Sequence, residues 1–251
     1  MRVSQAMLFG PLLLLSSFCL VASQASPLRM AMADYPPFSY YAEGGYQGEA
    51  YEAFIALMAE LEHPYTIRLV PNFGRALNDL QQDSIDGFFL ASESAERNQL
   101  AVFSEPVLTT VWSWVWLCDR ADLDPATAAF KQQARIAAQT NSNIYRWLQQ
   151  QGYQTLSGTQ DIRGLFALLD HHRVDAVMMP QDTAELLISQ QQHQQPRYRL
   201  LMQQQQPFGI YLDKNFVAKY PDFMPRLNQA IKQWRAEHLT YPTKPAQTKC
   251  L

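Results

Sequence analysis

From Leu28 onward, apolar positions alternate between the period of a strand and that of a helix. Leu28 to Ala33 is a short apolar run and predicts a strand. Tyr35-Pro36-Pro37-Phe38 stops it, because two prolines exclude both a helix and a central strand. Gly44-Gly45 and Gly48 mark a turn. Ala50, Ala53, Phe54, Leu57, Met58 and Leu61 then recur at helical spacing, which predicts a helix over 49–61. Tyr65 to Val70 alternates as a second strand, and Gly74 to Gln82 carries Ala76, Leu77 and Leu80 as a short helix. Ile85 to Leu90 is nearly all apolar and predicts a strand buried on both faces. Strands and helices in this order imply a mostly parallel sheet covered by helices.

The same logic returns after about residue 111. Val107 to Leu117 is a long apolar run, in which Trp112, Trp114 and Trp116 share one strand face as core or hinge packing. Ala134 to Ala138 and Val174 to Met179 predict strands, and 143–150, 162–170 and 183–190 predict helices. Leu200 to Gln206 and Phe208 to Leu212 return to extended character, and a helix over 225–237 ends the pattern. Two glutamine-rich tracts lack hydrophobic periodicity. Gln190 to Gln195 predicts a surface loop, and Gln203 to Gln206 polar padding near a crossing between lobes. His171-His172 predicts a solvated helix end, because adjacent helical positions point apart and do not share a metal.

The chain has 251 residues, a formal net charge of −3, 47% hydrophobic and 17% charged residues. This is a globular composition, and it lacks the basic excess that nucleic acid needs. Neither a Cys-x-x-Cys nor a His-Glu-x-x-His is present, so no metal site and no cofactor is expected. The first 25 residues carry Arg2, a mostly apolar stretch from Met7 to Val21, and Ser23-Gln24-Ala25 before the cut. This is the pattern of a cleavable signal peptide and predicts a periplasmic product. Lipid attachment at Cys19 is disfavoured by the bulky Phe18. Cys118 and Cys250 remain. They could pair in an oxidising compartment, and two unpaired thiols is the favoured reading of the two.

Four stretches, in order, carry a family resemblance. They are Asp34-Tyr35-Pro36-Pro37-Phe38 with Gly48; Phe73-Gly74-Arg75-Ala76 with Leu80 and Ile85-Asp86-Gly87; Ser94-Ala95-Glu96-Arg97 with Phe103-Ser104-Glu105-Pro106; and Phe208-Gly209-Ile210-Tyr211-Leu212. Together they resemble the family 3 extracellular solute-binding proteins. The resemblance implies an α/β, two-lobed type 2 periplasmic binding fold, each lobe a mixed sheet flanked by helices, with two hinge crossings. Lobe 1 would be 26–109 and 206–251, and lobe 2 would be 110–205. A monomer would close like a hinge on a small ligand, an amino acid or small carboxylate.

The resemblance also points to ligand-binding residues. Arg97 matches the arginine that forks onto a ligand carboxylate, with a surface arginine as the plain alternative. Ser92 matches a second carboxylate contact, or else a turn serine. Tyr35 and Phe73 match aromatic walls of the cleft, with core packing as the alternative. Arg75 would lie in the cleft or on the lobe surface. Asn141, Ser142 and Asn143 occupy a loop that takes up carboxylate in relatives, and would equally serve as a helix N-cap. The main departure is Pro180, where amino-acid binders place an aspartate for the ligand ammonium. Asp182 follows two residues late and either replaces it or leaves that contact missing.

The leading expectation is therefore a non-enzymatic solute-binding protein serving an ABC permease. A soluble sensor for a membrane receptor is the alternative. A cyclohexadienyl-dehydratase-like enzyme is the least favoured reading: Glu93, Glu96 or Asp182 could act as its acid, but no motif selects one.

Overall fold

The computed structural model describes residues 26–156, 158–191, 196–238 and 250. The expected signal peptide and Gln192 to Gln195 lie outside the described residues. Among the described residues no helix is long and apolar enough to cross a membrane.

The chain opens with β1 (Leu28–Ala33), whose side chains are almost all buried, and passes through a cis Pro36–Pro37 bond. Next comes a hairpin that periodicity missed, β2 (Tyr40–Ala42) and β3 (Gly45–Gln47). Its tip, Glu43-Gly44, has φ of 52° and 82°, the double left-handed turn that matches strand twist and tolerates glycine best. α1 (Glu49–Leu61) buries the predicted face, β4 (Tyr65–Val70) follows, and α2 (Phe73–Gln81) starts at the Asn72 cap. β5 (Gly87–Ser92) is buried on both faces, as expected of a strand covered by helices on each side. A short helix α3 (Ala95–Leu100), capped by Ser94, leads to β6 (Ala101–Phe103).

β7 (Leu108–Leu117) crosses to the second lobe. There α4 (Ala128–Gln133), β8 (Ile136–Ala137), α5 (Asn143–Gln150), α6 (Gly164–Asp170), β9 (Ala176–Pro180) and α7 (Gln181–Gln190) follow in turn. β10 (Tyr198–Asp213) returns to the first lobe, and α8 (Lys214–Lys219) and α9 (Phe223–His238) complete the described fold.

One sheet runs β4-β1-β5-β10-β7-β9-β8, with β6 on the far half of β10. β1 pairs in parallel with β4 and β5, and β8 in parallel with β9, so each lobe keeps its βαβ core. β10 and β7 run antiparallel to each other and join the two cores. Gln203 to Gln206 therefore lie inside the crossing strand, and Trp114 Nε1 donates to Gln203 Oε1 at 2.8 Å. The tryptophan face is core: Trp112, Trp114 and Trp116 pack with Phe130, Ile144 and Met178. The larger apolar cluster spreads from β1, β5 and α1 and includes Phe54 stacked on Phe89 at 4.1 Å.

Each lobe carries the same clamp at the base of its sheet. Asp86, just before β5, accepts the Arg29 backbone N–H (2.8 Å) and the Arg29 guanidinium (2.6 Å), while Arg29 Nη1 donates to the Asp83 carbonyl. Asp175, just before β9, accepts the Arg135 backbone N–H (2.8 Å) and guanidinium (3.0 Å), while Arg135 Nη2 donates to the His172 carbonyl. Asp83 and His172 are both left-handed, with φ of 52° and 51°. His172 thus belongs to a helix-ending turn, as expected of that doublet.

The cysteines correct the favoured reading. Cys118, just past β7, forms a disulfide with Cys250, their Cα atoms 5.9 Å apart. Sequence separation carried no hint of this; in the structure a backbone bridge to Arg199 sets Cys250 beside β10.

Burial pushes the Asp175 carboxyl up, but hydrogen bonds from Arg135 and Arg120 reverse this and hold its pKa far below the ordinary carboxylate value. A depressed folded pKa contributes stability at neutral pH that is lost as pH falls. Asp175→Asn should cost about 1–3 kcal/mol at pH 7. Because the arginines are partly in water, screening favours the lower end. The gap to wild type should close as pH drops below about 4, measured by denaturant titration across pH. Reducing the disulfide should lower stability by about 2–5 kcal/mol, read as a fall in melting temperature with added thiol.

Candidate functional site

The two lobes meet at a seam built from the ends of β5 and β9 and the starts of α2, α3, α5 and α7. Strand ends and helix starts converge here because each βαβ unit aims the carboxyl ends of its strands at the other lobe.

Arg97 is the centre. Ser94 caps α3 and holds the Arg97 N–H, which fixes the helix start and turns the side chain inward. Arg97 is 1% exposed. Its Nη1 donates to the Ser92 carbonyl at 2.6 Å, and its guanidinium lies 5.2 Å from the Phe73 ring centre and 5.8 Å from that of Phe88. Its Nε is buried without a partner, and among the described residues Arg97 makes no ion pair. Burial in this aromatic setting drives its pKa down, to about 10. An arginine disfavoured in its charged form, with a donor unused, has the chemistry to take an anion.

Tyr35 and Phe73 stand together, ring centres 5.4 Å apart, and Tyr35 also meets Phe208. Burial raises the Tyr35 hydroxyl pKa, and the Arg97 charge lowers it less, so the hydroxyl stays protonated. Ser92 ends β5, buried, with its carbonyl shared between Arg97 and the second lobe. Asn143, the first residue of α5, donates from Nδ2 to Ser92 Oγ (2.8 Å), Ser92 O (3.0 Å) and Glu93 O (3.3 Å). Its Oδ1 is buried without a partner.

The other expected residues are placed as follows. Ser142 is the α5 cap, and its hydroxyl accepts the Tyr145 N–H at 3.1 Å. Asn141, left-handed at φ 61°, abuts the start of α2 so closely that a Cβ on Gly74 would lie 2.8 Å from the Asn141 Cβ. Arg75 lies on the lobe surface, paired with Asp79. Asp182 lies on the accessible first turn of α7, where partial desolvation of its carboxyl, with Glu185 nearby, raises its pKa. It lies near Glu49 rather than Arg97, whose ionised neighbours are Arg146 and Glu96. β9 ends at Pro180 and α7 begins at Gln181, so no loop carries Asp182 inward.

The structure adds ties that the sequence did not reveal. Thr183 Oγ1 donates to the Pro36 carbonyl at 2.7 Å, Arg163 pairs with Asp34 at 3.2 Å, and Arg146 with Glu96 at 2.9 Å. Each joins residues of opposite lobes, and side chains so far apart in sequence leave no local pattern to read. Among the described residues no cluster of three or more His, Cys, Asp or Glu could hold a metal.

A two-lobed α/β molecule with a buried basic residue between its lobes is a solute-binding architecture. Residues 28–240 match the model of the bacterial extracellular solute-binding proteins, family 3, and the chain belongs to that family. A search of curated proteins gives no match. Solved structures share the fold at low identity. The GluR0 ligand-binding core from Nostoc punctiforme, in complex with L-glutamate, aligns with a TM-score of 0.69 and 15% identity, over 84% of this chain and 94% of that one. A histidine kinase sensor domain aligns at 0.70 and 16%, over 85% and 92%. AncCDT-1, an ancestral amino acid-binding protein and precursor of cyclohexadienyl dehydratase, aligns at 0.68 and 20%, over 84% and 90%.

Arg97→Met removes an uncompensated buried charge while keeping most of the side-chain volume. The ligand-free variant should melt no lower than wild type in calorimetry. A loss of more than about 3 kcal/mol would show that the guanidinium is structural.

Proposed function

We propose that this chain is exported to the periplasm and captures a small carboxylate or amino-acid-like ligand between its lobes for ABC-type import. The observation that carries this reading is Arg97, a buried cation without an ion pair among the described residues, at the seam of two lobes. A carboxylate supplies the missing charge and accepts two parallel guanidinium hydrogen bonds. Tyr35 and Phe73 form its apolar wall, and Ser92 and Asn143 close over it from the two lobes. The lobes divide at 109/110 and 205/206, which is supported by the pairing of Thr110 with Gln206 across the two crossing strands. Ligand that bridges the lobes stabilises the closed state in proportion to its preference for it. A monomer suffices for this, with the permease as partner.

A second reading uses the same capture for signalling, with the lobes presenting ligand to a membrane receptor. The likeness to a histidine kinase sensor domain favours keeping it. Catalysis is disfavoured. Glu93 and Glu96 are exposed and engaged, with Asn98 and Arg146, and Asp182 is exposed on α7. None is held inside the seam as a general acid would be.

A thermal-shift screen of the protein freed of residues 1–25 against amino acids, polyamines and small organic acids tests this reading. Carboxylates should raise the melting temperature by mass action, and Arg97→Ala should abolish the shift. A shift that survives in Arg97→Ala would sink the assignment.

A further inference from the structure

The seam holds two unpartnered buried atoms of opposite kind, the Arg97 Nε–H donor and the Asn143 Oδ1 acceptor. They are neighbours, because Arg97 Nη1 and Asn143 Nδ2 share the Ser92 carbonyl, at 2.6 and 3.0 Å. The orientation of the Asn143 amide is not arbitrary. Its Nδ2 faces the carbonyls of Ser92 and Glu93, which can only accept, so a flipped amide would oppose oxygen to oxygen. Oδ1 is thereby held on the other side of the amide, and Asn143 is only 8% exposed.

The geometry points to Asn143 as a specificity-determining residue that selects a 2-hydroxy carboxylate over the matching 2-amino acid. This deepens the carboxylate reading above and rests on it. The carboxylate takes Arg97, and a donor on the adjacent carbon takes Asn143 Oδ1. An ammonium there would sit beside the guanidinium and needs an acceptor that carries negative charge. The carboxylates nearby are committed elsewhere: Glu96 to Arg146, Asp34 to Arg163 and Glu93 to Asn98. Asp182 is exposed beside Glu49, and Pro180 ends β9 where a strand-end acid would stand. An amide oxygen is neutral, so it satisfies a hydroxyl fully and an ammonium poorly. Asn143 comes from the second lobe, so this contact forms only when the lobes meet.

Matched trios test the idea by titration calorimetry: lactate, alanine and propionate; phenyllactate, phenylalanine and 3-phenylpropionate; 2-hydroxyglutarate, glutamate and glutarate. In a trio that binds, the hydroxy acid should exceed both its amino and deoxy partners by about tenfold or more. Asn143→Ala should bring the hydroxy acid down to the deoxy acid, with Asn143→Ser as a second variant should the first fail to fold. Equal or tighter binding of the amino acid overturns the inference, as does a hydroxyl preference that survives both variants. Failure of every carboxylate to bind wild type, or unchanged binding in Arg97→Ala, would instead remove the carboxylate reading and this inference with it.

Discussion

The antiparallel pairing of β7 with β10 is the constraint on which the rest depends. Both strands pass between lobes, paired from Tyr198–Leu117 to Phe208–Leu108, and they fuse two parallel cores into one sheet. Without that ribbon the strand ends of the two cores would have no reason to face each other. With it, β5 and α3 of one lobe meet α5 and α7 of the other. Backbone hydrogen bonds fix the register, so the seam inherits its geometry from the ribbon rather than from the few side chains that touch across it.

At that seam, the energetics run against simple stability. A guanidinium buried among Phe73, Phe88 and Tyr35, with no counter-ion among the described residues, is costly. The surrounding ties, Thr183 to Pro36, Arg163 to Asp34 and Asn143 to Ser92, hold the lobes over it. Unsatisfied polar groups in a native core are uncommon, and here an unused Arg97 donor and an unused Asn143 acceptor belong to side chains whose other nitrogens share the Ser92 carbonyl.

Much of the fold was legible because burial imposes periodicity. β1, α1, β4 and α5 fall where their apolar spacing places them. Elements held by caps and turns were not legible: α3 is six residues with only Arg97 buried, α4 is six with only Phe130 buried, and the β2–β3 hairpin is half-exposed. In the site, Arg97 and Phe73 could be named because motifs surround them. Their isolation from charge could not, since it depends on where Glu96, Asp34 and Asp182 find partners in space. Ser142 kept both of its readings: its hydroxyl oxygen caps the helix by accepting the Tyr145 N–H, and its own proton is still there to donate. The disulfide lay beyond reach for the same reason, as proximity across the ribbon leaves no trace in spacing.

The repeated clamp has a mechanical consequence. Arg29 with Asp86, and Arg135 with Asp175, each pin the first strand of a core to its neighbour at the end remote from the seam. Shear between those strands would break backbone and charged hydrogen bonds together. Each lobe is thereby stiffened within itself, and relative rotation of the lobes would fall to the ribbon, where the register shift between Met202 and Gln204 already interrupts the ladder. A torsional joint at the centre, loaded by two stiff levers, is the mechanical reading of a sequence that spends the same Arg–Asp lock twice.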